Sequence, residues 1–166
     1  GQTNIYKVEA RGGWWFPVSR HFGTDLSMFK YGDQVFSIVG RTGSITGFGG
    51  KEVPYFEKYF LGGAYNLRGY KYRKAGPLDR NDEPLGGNTF GYISLEYSVR
   101  IIEQFRIAAF HDIGFLNESS WDWDPTDYSD DIGIGFRILL MGAPMRIDIG
   151  VPVTKGNAAD NGVQFN

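Results

Sequence analysis

The sequence predicts an all-β chain of about seven antiparallel strands belonging to the wall of a membrane barrel. Three observations carry this expectation: composition, period-2 alternation and the lengths of the connections. Gly is 24 of 166 residues and aromatics are 16%, a pairing that suits many strands joined by tight turns. Segments of about 9–12 residues alternate between apolar and polar or charged positions, enough for a tilted strand to cross a bilayer. Short turns near 102–104 and 141–144 fall at one end of the strands, and the long connections at 17–32, 55–88 and 117–131 fall at the other, as in outer-membrane barrels.

Residues 5–16 place Tyr6, Val8, Ala10, Gly12, Trp14 and Phe16 on one face and Lys7, Glu9 and Arg11 on the other. Trp14, Trp15 and Phe16 cluster where a membrane strand carries an interfacial aromatic girdle. Residues 34–45 alternate less cleanly, with Phe36 and Ile38 opposing Ser37, Val39 and Arg41. Residues 90–101 are the clearest strand: Ile93, Leu95, Tyr97, Val99 and Ile101 oppose Ser94, Glu96, Ser98 and Arg100. Residues 105–115 set Phe105, Ile107, Ala109, Ile113 and Phe115 against Arg106, Ala108, Phe110 and Asp112. Residues 131–141 set Ile132, Ile134, Phe136 and Ile138 against Gly133, Gly135 and Arg137, and residues 145–153 set Ile147, Ile149 and Val151 against Arg146 and Asp148. Residues 162–166 begin a seventh strand. The apolar parity is expected to face lipid, which assigns Ile93, Leu95, Tyr97, Ile107, Ile134, Phe136, Ile147 and Ile149 to acyl chains.

Several function classes are excluded or weakened. Lys plus Arg is 17 against 19 for Asp plus Glu, so no basic excess argues for nucleic acid. Without cysteine, disulfides, thiol catalysis and Cys-ligated metals are out. The longest uncharged apolar runs fall well short of the roughly 18 residues of a membrane helix, and the start at Gly1-Gln2-Thr3 does not read as a signal peptide. Gly47, Gly49 and Gly50 around Phe48 lack the Gly-Lys-Ser/Thr of a phosphate cradle. His111 stands on the apolar parity, with His21 the other imidazole, and reads as an amphipathic interface residue; no metal site is expected. Asp122, Asp124 and Asp127 invite a calcium reading, but the glycine and terminal glutamate of a dedicated loop are missing. No catalytic set, cofactor or enzymatic activity is expected. Glu96 and Asp112 share one face as a hydrolytic carboxylate pair could, and an arginine between them reads better as an ion-pair lock.

The connection 55–88 is long, without an evident regular element, and holds Tyr59-Phe60-Leu61-Gly62-Gly63-Ala64-Tyr65-Asn66-Leu67-Arg68-Gly69-Tyr70. Two glycines free the backbone for a tight turn, and five residues on stands a single arginine flanked by Leu67 and Gly69. This stretch resembles the tip of the inward-folded loop in BamA-type outer-membrane assembly factors, a family that includes two-partner secretion transporters and organelle importers. His111-Asp112-Ile113-Gly114, Gly142-Ala143-Pro144-Met145-Arg146 and Val151-Pro152 resemble further family segments in the same order.

The resemblance implies the C-terminal portion of a sixteen-stranded transmembrane β-barrel, with N-terminal strands and periplasmic repeats outside this chain. It implies a bacterial outer-membrane location and a function in folding and inserting client barrels through a lateral gate. The partners implied are outer-membrane lipids, unfolded outer-membrane protein clients and accessory lipoproteins of an assembly complex. Gly62, Gly63, Leu67, Arg68, Gly69 and Tyr70 would form the loop motif, with Arg68 pairing in the lumen to Glu96 and Asp112. Val163, Gln164, Phe165 and Asn166 would form a weakly held gate strand. The alternatives are a polypeptide translocation pore of the two-partner secretion type and, from another class, a soluble ligand-binding β-barrel with the apolar parity inside.

Overall fold

The computed structural model describes residues 4–18, 33–154 and 163–166. Its strands are β1 (Ile5–Pro17), β2 (Gln34–Gly47), β3 (Thr89–Ile102), β4 (Phe105–Asn117), β5 (Tyr128–Leu140), β6 (Ala143–Pro152) and β7 (Gln164–Phe165). They form one seven-stranded antiparallel sheet in sequential order, so each strand pairs with its chain neighbours and β1 and β7 are its edges. Among the described residues no helix is long and apolar enough to cross a membrane. Residues 19–32 of the connection 17–32, His21 among them, and Gly162 lie outside the described residues.

The short turns behave as their residues demand. Leu140 pairs with Ala143 across Met141 and Gly142, whose φ values are 50° and 82°; positive φ at both central positions is the requirement of a type I′ hairpin, whose twist matches the strands. Registers are regular except for a shift between Arg100 and Ile102 beside the β3–β4 turn. Side-chain parity therefore carries from strand to strand: Val39, Ser94, Asp112, Asp131 and Pro152 form one row across β2 to β6, with Glu96, Phe110, Gly133 and Gly150 in the adjoining row on the same face.

Three features differ from the sequence reading. β5 begins at Tyr128 rather than 131, because Phe115 pairs with Tyr128 and Asp130 is held in the ladder region by Thr154 and His111. Two aspartates that composition assigns to a loop are thus strand residues. The connection 55–88 is not structureless: a 3-10 turn at Tyr55–Glu57 leads into bridges Tyr59↔Gly87, Leu61↔Ala75 and Leu78↔Pro84, a loop folded back on itself. Finally, the charged face of the sheet is not polar throughout. At the end near the long connections it carries Ile45, Phe90 and Leu116, which bury against Tyr59, Leu61, Leu67, Tyr70 and Ala75 of the loop. The hydrophobic core therefore lies between the loop and that inner face, which is apolar under the body of the loop and charged where Arg68 at its tip docks.

The opposite face is left open by the chain. Ile93, Ile107, Ile134 and Ile147 are exposed, and Leu95, Tyr97, Phe136 and Ile149 are partly so. A soluble barrel with its apolar parity inside would present the reverse arrangement, with charged side chains outward; here the buried charges lie under the loop.

Candidate functional site: the loop tip on the inner wall

The tip is a compact turn built by glycine and asparagine. Gly62 and Gly63 have φ of 107° and 106°, conformations that disfavour any side chain; a Cβ on Gly62 would also lie 2.4 Å from the Lys71 carbonyl oxygen. Asn66 Oδ1 accepts from the N–H groups of Gly62 and Leu67, both at 2.7 Å, and Gly63 N donates to Leu67 O at 2.9 Å. Leu67 is fully buried in the loop core. Anchored by Leu67, the next residue is aimed at the sheet.

Arg68 is 3% exposed. Its Nε donates to Asp112 Oδ2 at 2.7 Å and Nη2 to Asp112 Oδ1 at 2.7 Å, a bidentate fork. Nη1 donates to Glu96 Oε2 at 2.8 Å, Nη2 to Ser94 Oγ at 2.9 Å, and the Arg68 backbone N–H to Asp112 Oδ2 at 3.2 Å. The guanidinium centre lies 3.6 Å from the Phe110 ring centroid, within cation–π range. Burial alone would pull this guanidinium down, but the hydrogen bonds and charge of Asp112, joined by Glu96 and Asp148, outweigh it and hold the group more firmly protonated than usual.

Around this pair the sheet supplies a charge network. Arg137 Nη2 donates to Glu96 Oε2 and Nη1 to Asp148 Oδ1, both at 2.6 Å. Asp148, fully buried, also receives Arg146 Nε at 2.5 Å and lies 3.7 Å from Arg68 Nη1. Arg146 Nη2 donates in turn to the Ala64 carbonyl of the tip. Three arginines thus face Glu96, Asp112 and Asp148, which limits the cost of burying each charge.

Small residues make the room. The Phe110 ring lies over Gly133, where an added Cβ would be 2.3 Å from Cζ, and Arg137 covers Gly135. Gly69 lets the tip touch the wall backbone: a Cβ there would stand 2.4 Å from Asp131 Cβ and 2.8 Å from the Val151 carbonyl carbon. Tyr70 is buried, and its hydroxyl donates to Thr154 O at 2.9 Å.

Of the residues singled out from sequence, the structure brings Arg68, Glu96 and Asp112 together and sets Gly62, Gly63, Leu67, Gly69 and Tyr70 around them. Val163 precedes β7, whose pairing to β6 consists of Ile149↔Phe165 and Gly150↔Gln164. Sequence reasoning did not single out Ser94, Phe110, Arg137 and Asp148 as members of the site. Parity held the signal for them, since all four fall on the same inward face as Glu96 and Asp112, Ser94 and Phe110 in the same rows and Asp148 and Arg137 in the next two; what it lacked was the register. Among the described residues there is no group of three or more acidic or imidazole side chains fit to hold a metal. Asp122 and Asp124 instead close local turns, Asp122 Oδ1 accepting from Asp124 N and Asp124 Oδ1 from Thr126 N and Oγ1. His111, on the open face, pairs through Nε2 with Asp130 at 3.0 Å.

The chain is similar to several known proteins. It is 29% identical over 124 residues to the outer membrane protein assembly factor BamA of Nitratidesulfovibrio vulgaris, covering 70% of this chain and 16% of that protein. It is 29% identical over 147 residues to BamA of Neisseria meningitidis serogroup B, covering 82% of this chain and 16% of that protein. The chain therefore spans about a sixth of the length of these relatives. Its fold matches the crystal structure of BamA from Haemophilus ducreyi lacking POTRA domains 1–3 with a TM-score of 0.75 at 23% identity, over 98% of this chain and 34% of that one. A family model, the Omp85 superfamily domain, matches residues 1–166. An open antiparallel sheet with its charges gathered under an inward loop, matched over its whole length by that model, is a length of outer-membrane barrel wall, and the chain belongs to the Omp85 superfamily.

Proposed function

We propose that this chain is the C-terminal part of the barrel of an outer-membrane assembly factor, which folds and inserts β-barrel clients through a lateral gate without covalent chemistry. The observation that carries the reading is the docking of Arg68 in a buried cluster on the inner wall, since a loop held so firmly inside the sheet stiffens one side of the barrel. The similarity to two BamA proteins supports assembly over other roles within the superfamily. On this reading β7, which pairs with β6, supplies the edge, since an edge strand with free backbone groups can template an incoming strand. The partners on this reading are unfolded outer-membrane proteins, the lipids against the open face of Ile93, Leu95, Tyr97, Ile107, Ile134, Phe136, Ile147 and Ile149, and accessory lipoproteins.

The test is reconstitution of the full-length protein in lipid vesicles with an unfolded client barrel. Client folding should be faster than in empty vesicles and should fall with Arg68→Ala. Vesicles that pass a soluble polypeptide across the bilayer and leave client folding at its spontaneous rate would overturn the reading in favour of a secretion pore.

A further inference from the structure

The loop tip does more than dock on the wall: it lies along β6 where β6 receives β7. Gly69 is packed against Gly150, whose added Cβ would meet Gly69 Cα and N at 2.9 Å, and Gly150 is the residue paired with Gln164 of β7. Next to it, Asn166 Nδ2 donates to the Arg68 carbonyl at 2.6 Å. The Asn166 backbone exchanges both hydrogen bonds with Asp148, at 2.9 and 2.8 Å, and Asp148 is the carboxylate that gathers Arg137 and Arg146 beside Arg68. On the other side of the tip, Tyr70 Oη reaches Thr154, just past the end of β6. Three consecutive residues, Arg68, Gly69 and Tyr70, therefore hold the β6–β7 pair at Asn166, at Gly150 and at Thr154.

We propose that the Arg68-Gly69-Tyr70 tip is a clamp on β7, with Asn166 as the positioning residue that joins them, so that release of the tip and separation of β7 from β6 are one coupled event. The proposal rests on the reading of β7 as a weakly held edge. Asn166 continues the β6–β7 ladder through its backbone pair with Asp148, so its side-chain hydrogen bond to the Arg68 carbonyl ties the loop tip directly to that ladder. Coupling of this kind is reciprocal: whatever loosens the tip frees β7, and whatever pulls β7 away loosens the tip by the same factor.

The full-length protein in lipid vesicles without client provides the test. Backbone hydrogen exchange over residues 148–150 and 164–166 reads β7, and a nitroxide on Tyr65→Cys, whose side chain is 91% exposed, reads the tip. Tyr70→Phe, which touches no residue of β7, should speed β6–β7 exchange by about fivefold while leaving β3 exchange unchanged, the factor expected for one modest interaction. Asn166→Asp removes the amide donor and should raise nitroxide mobility at 65. Should Asn166→Asp fail to fold, Tyr70→Phe alone decides the matter through β6–β7 exchange. Exchange within twofold of the parent in Tyr70→Phe, or an immobile nitroxide in a folded Asn166→Asp protein, overturns the clamp. Client insertion is scored separately in the same Tyr70→Phe protein: insertion still faster than in empty vesicles together with unchanged β6–β7 exchange would remove the clamp and leave the proposed function standing.

Discussion

Arg68→Ala should release the loop, and the contact geometry sets how strongly. The substitution removes the two contacts to Asp112, the one to Glu96 and the one to Ser94. Glu96 keeps Arg137, and Asp148 keeps both Arg137 and Arg146, so the damage falls on Asp112. That carboxylate is fully buried and retains the Ser94 hydroxyl at 2.6 Å and the residue-68 backbone N–H. Breaking a buried pair by removing one partner costs about 3–5 kcal/mol. At about 1.4 kcal/mol per decade, the loop amides of Gly63 and Ala75, bonded to Leu67 and Leu61, should exchange about 10²–10⁴ times faster. Arg68→Lys keeps a point charge but loses the fork and should fall between. Adding Asp112→Asn to Arg68→Ala removes the stranded charge and should recover part of the loss, a non-additivity expected of neighbours. Acceleration below about fivefold in Arg68→Ala would refute the assignment of the loop's hold to this cluster.

Three further outcomes follow from the geometry. Gly69→Ala drives a methyl into Asp131 and the Val151 carbonyl carbon and should weaken docking by about 1–3 kcal/mol, as overpacking does; a nitroxide at Tyr65→Cys that stays immobile would contradict the close approach. Leu95→Arg should cost about 2–4 kcal/mol in vesicles if the open face meets the bilayer midplane, read as lost folded fraction in the heat-dependent gel shift of barrels, and a neutral result would argue against lipid there. The turn at Asp124 should loosen in acid. The Thr126 hydroxyl and N–H hold the Asp124 carboxyl below its ordinary value of 3.8, so the turn's contribution is present above that value and is lost as pH falls through the lower folded-state one. Trp123 fluorescence should report this, and a midpoint at or above 3.8 would refute it.

Strand existence and facing were legible because a half-buried strand writes its environment in every second residue, and no feature of Ile93 to Ile101 competes with that pattern. Boundaries were less so. Asp130 and Asp131 look like loop residues by propensity, yet what keeps them in β5 comes from elsewhere: Thr154 and His111 for Asp130, and the ladder that sets Asp131 opposite Asp112 of β4 and Pro152 of β6. Likewise Ile45, Phe90 and Leu116 sit on the charged parity and look like exceptions until the loop that covers them is placed. A pattern reports what a residue faces, and here the inner face of β3 and β4 changes from Phe90 and Leu116 under the body of the loop to Ser94, Glu96 and Asp112 at its tip.

The cluster itself shows why a motif is less than a site. Arg68 could be singled out because its glycines and spacing are local in sequence, and Glu96 and Asp112 because parity puts them inward. Which carboxylate takes the fork depends on register: Ser94 stands opposite Asp112, and Glu96 opposite Phe110, so the guanidinium that lies on Phe110 meets Asp112 side-on and reaches Glu96 with its remaining nitrogen. A one-residue slip of β4 against β3 would turn Asp112 to the open face and bring Ile113 or His111 inward. Register in turn is held by the turns at 103–104 and 141–142 and by inward glycines such as Gly133 and Gly135, which admit Phe110 and Arg137 without moving the strands. The arginine is therefore the readable end of an arrangement whose other end is the absence of side chains at Gly69, Gly133, Gly135 and Gly150. Filling any of them should disturb the lock as surely as removing a charge.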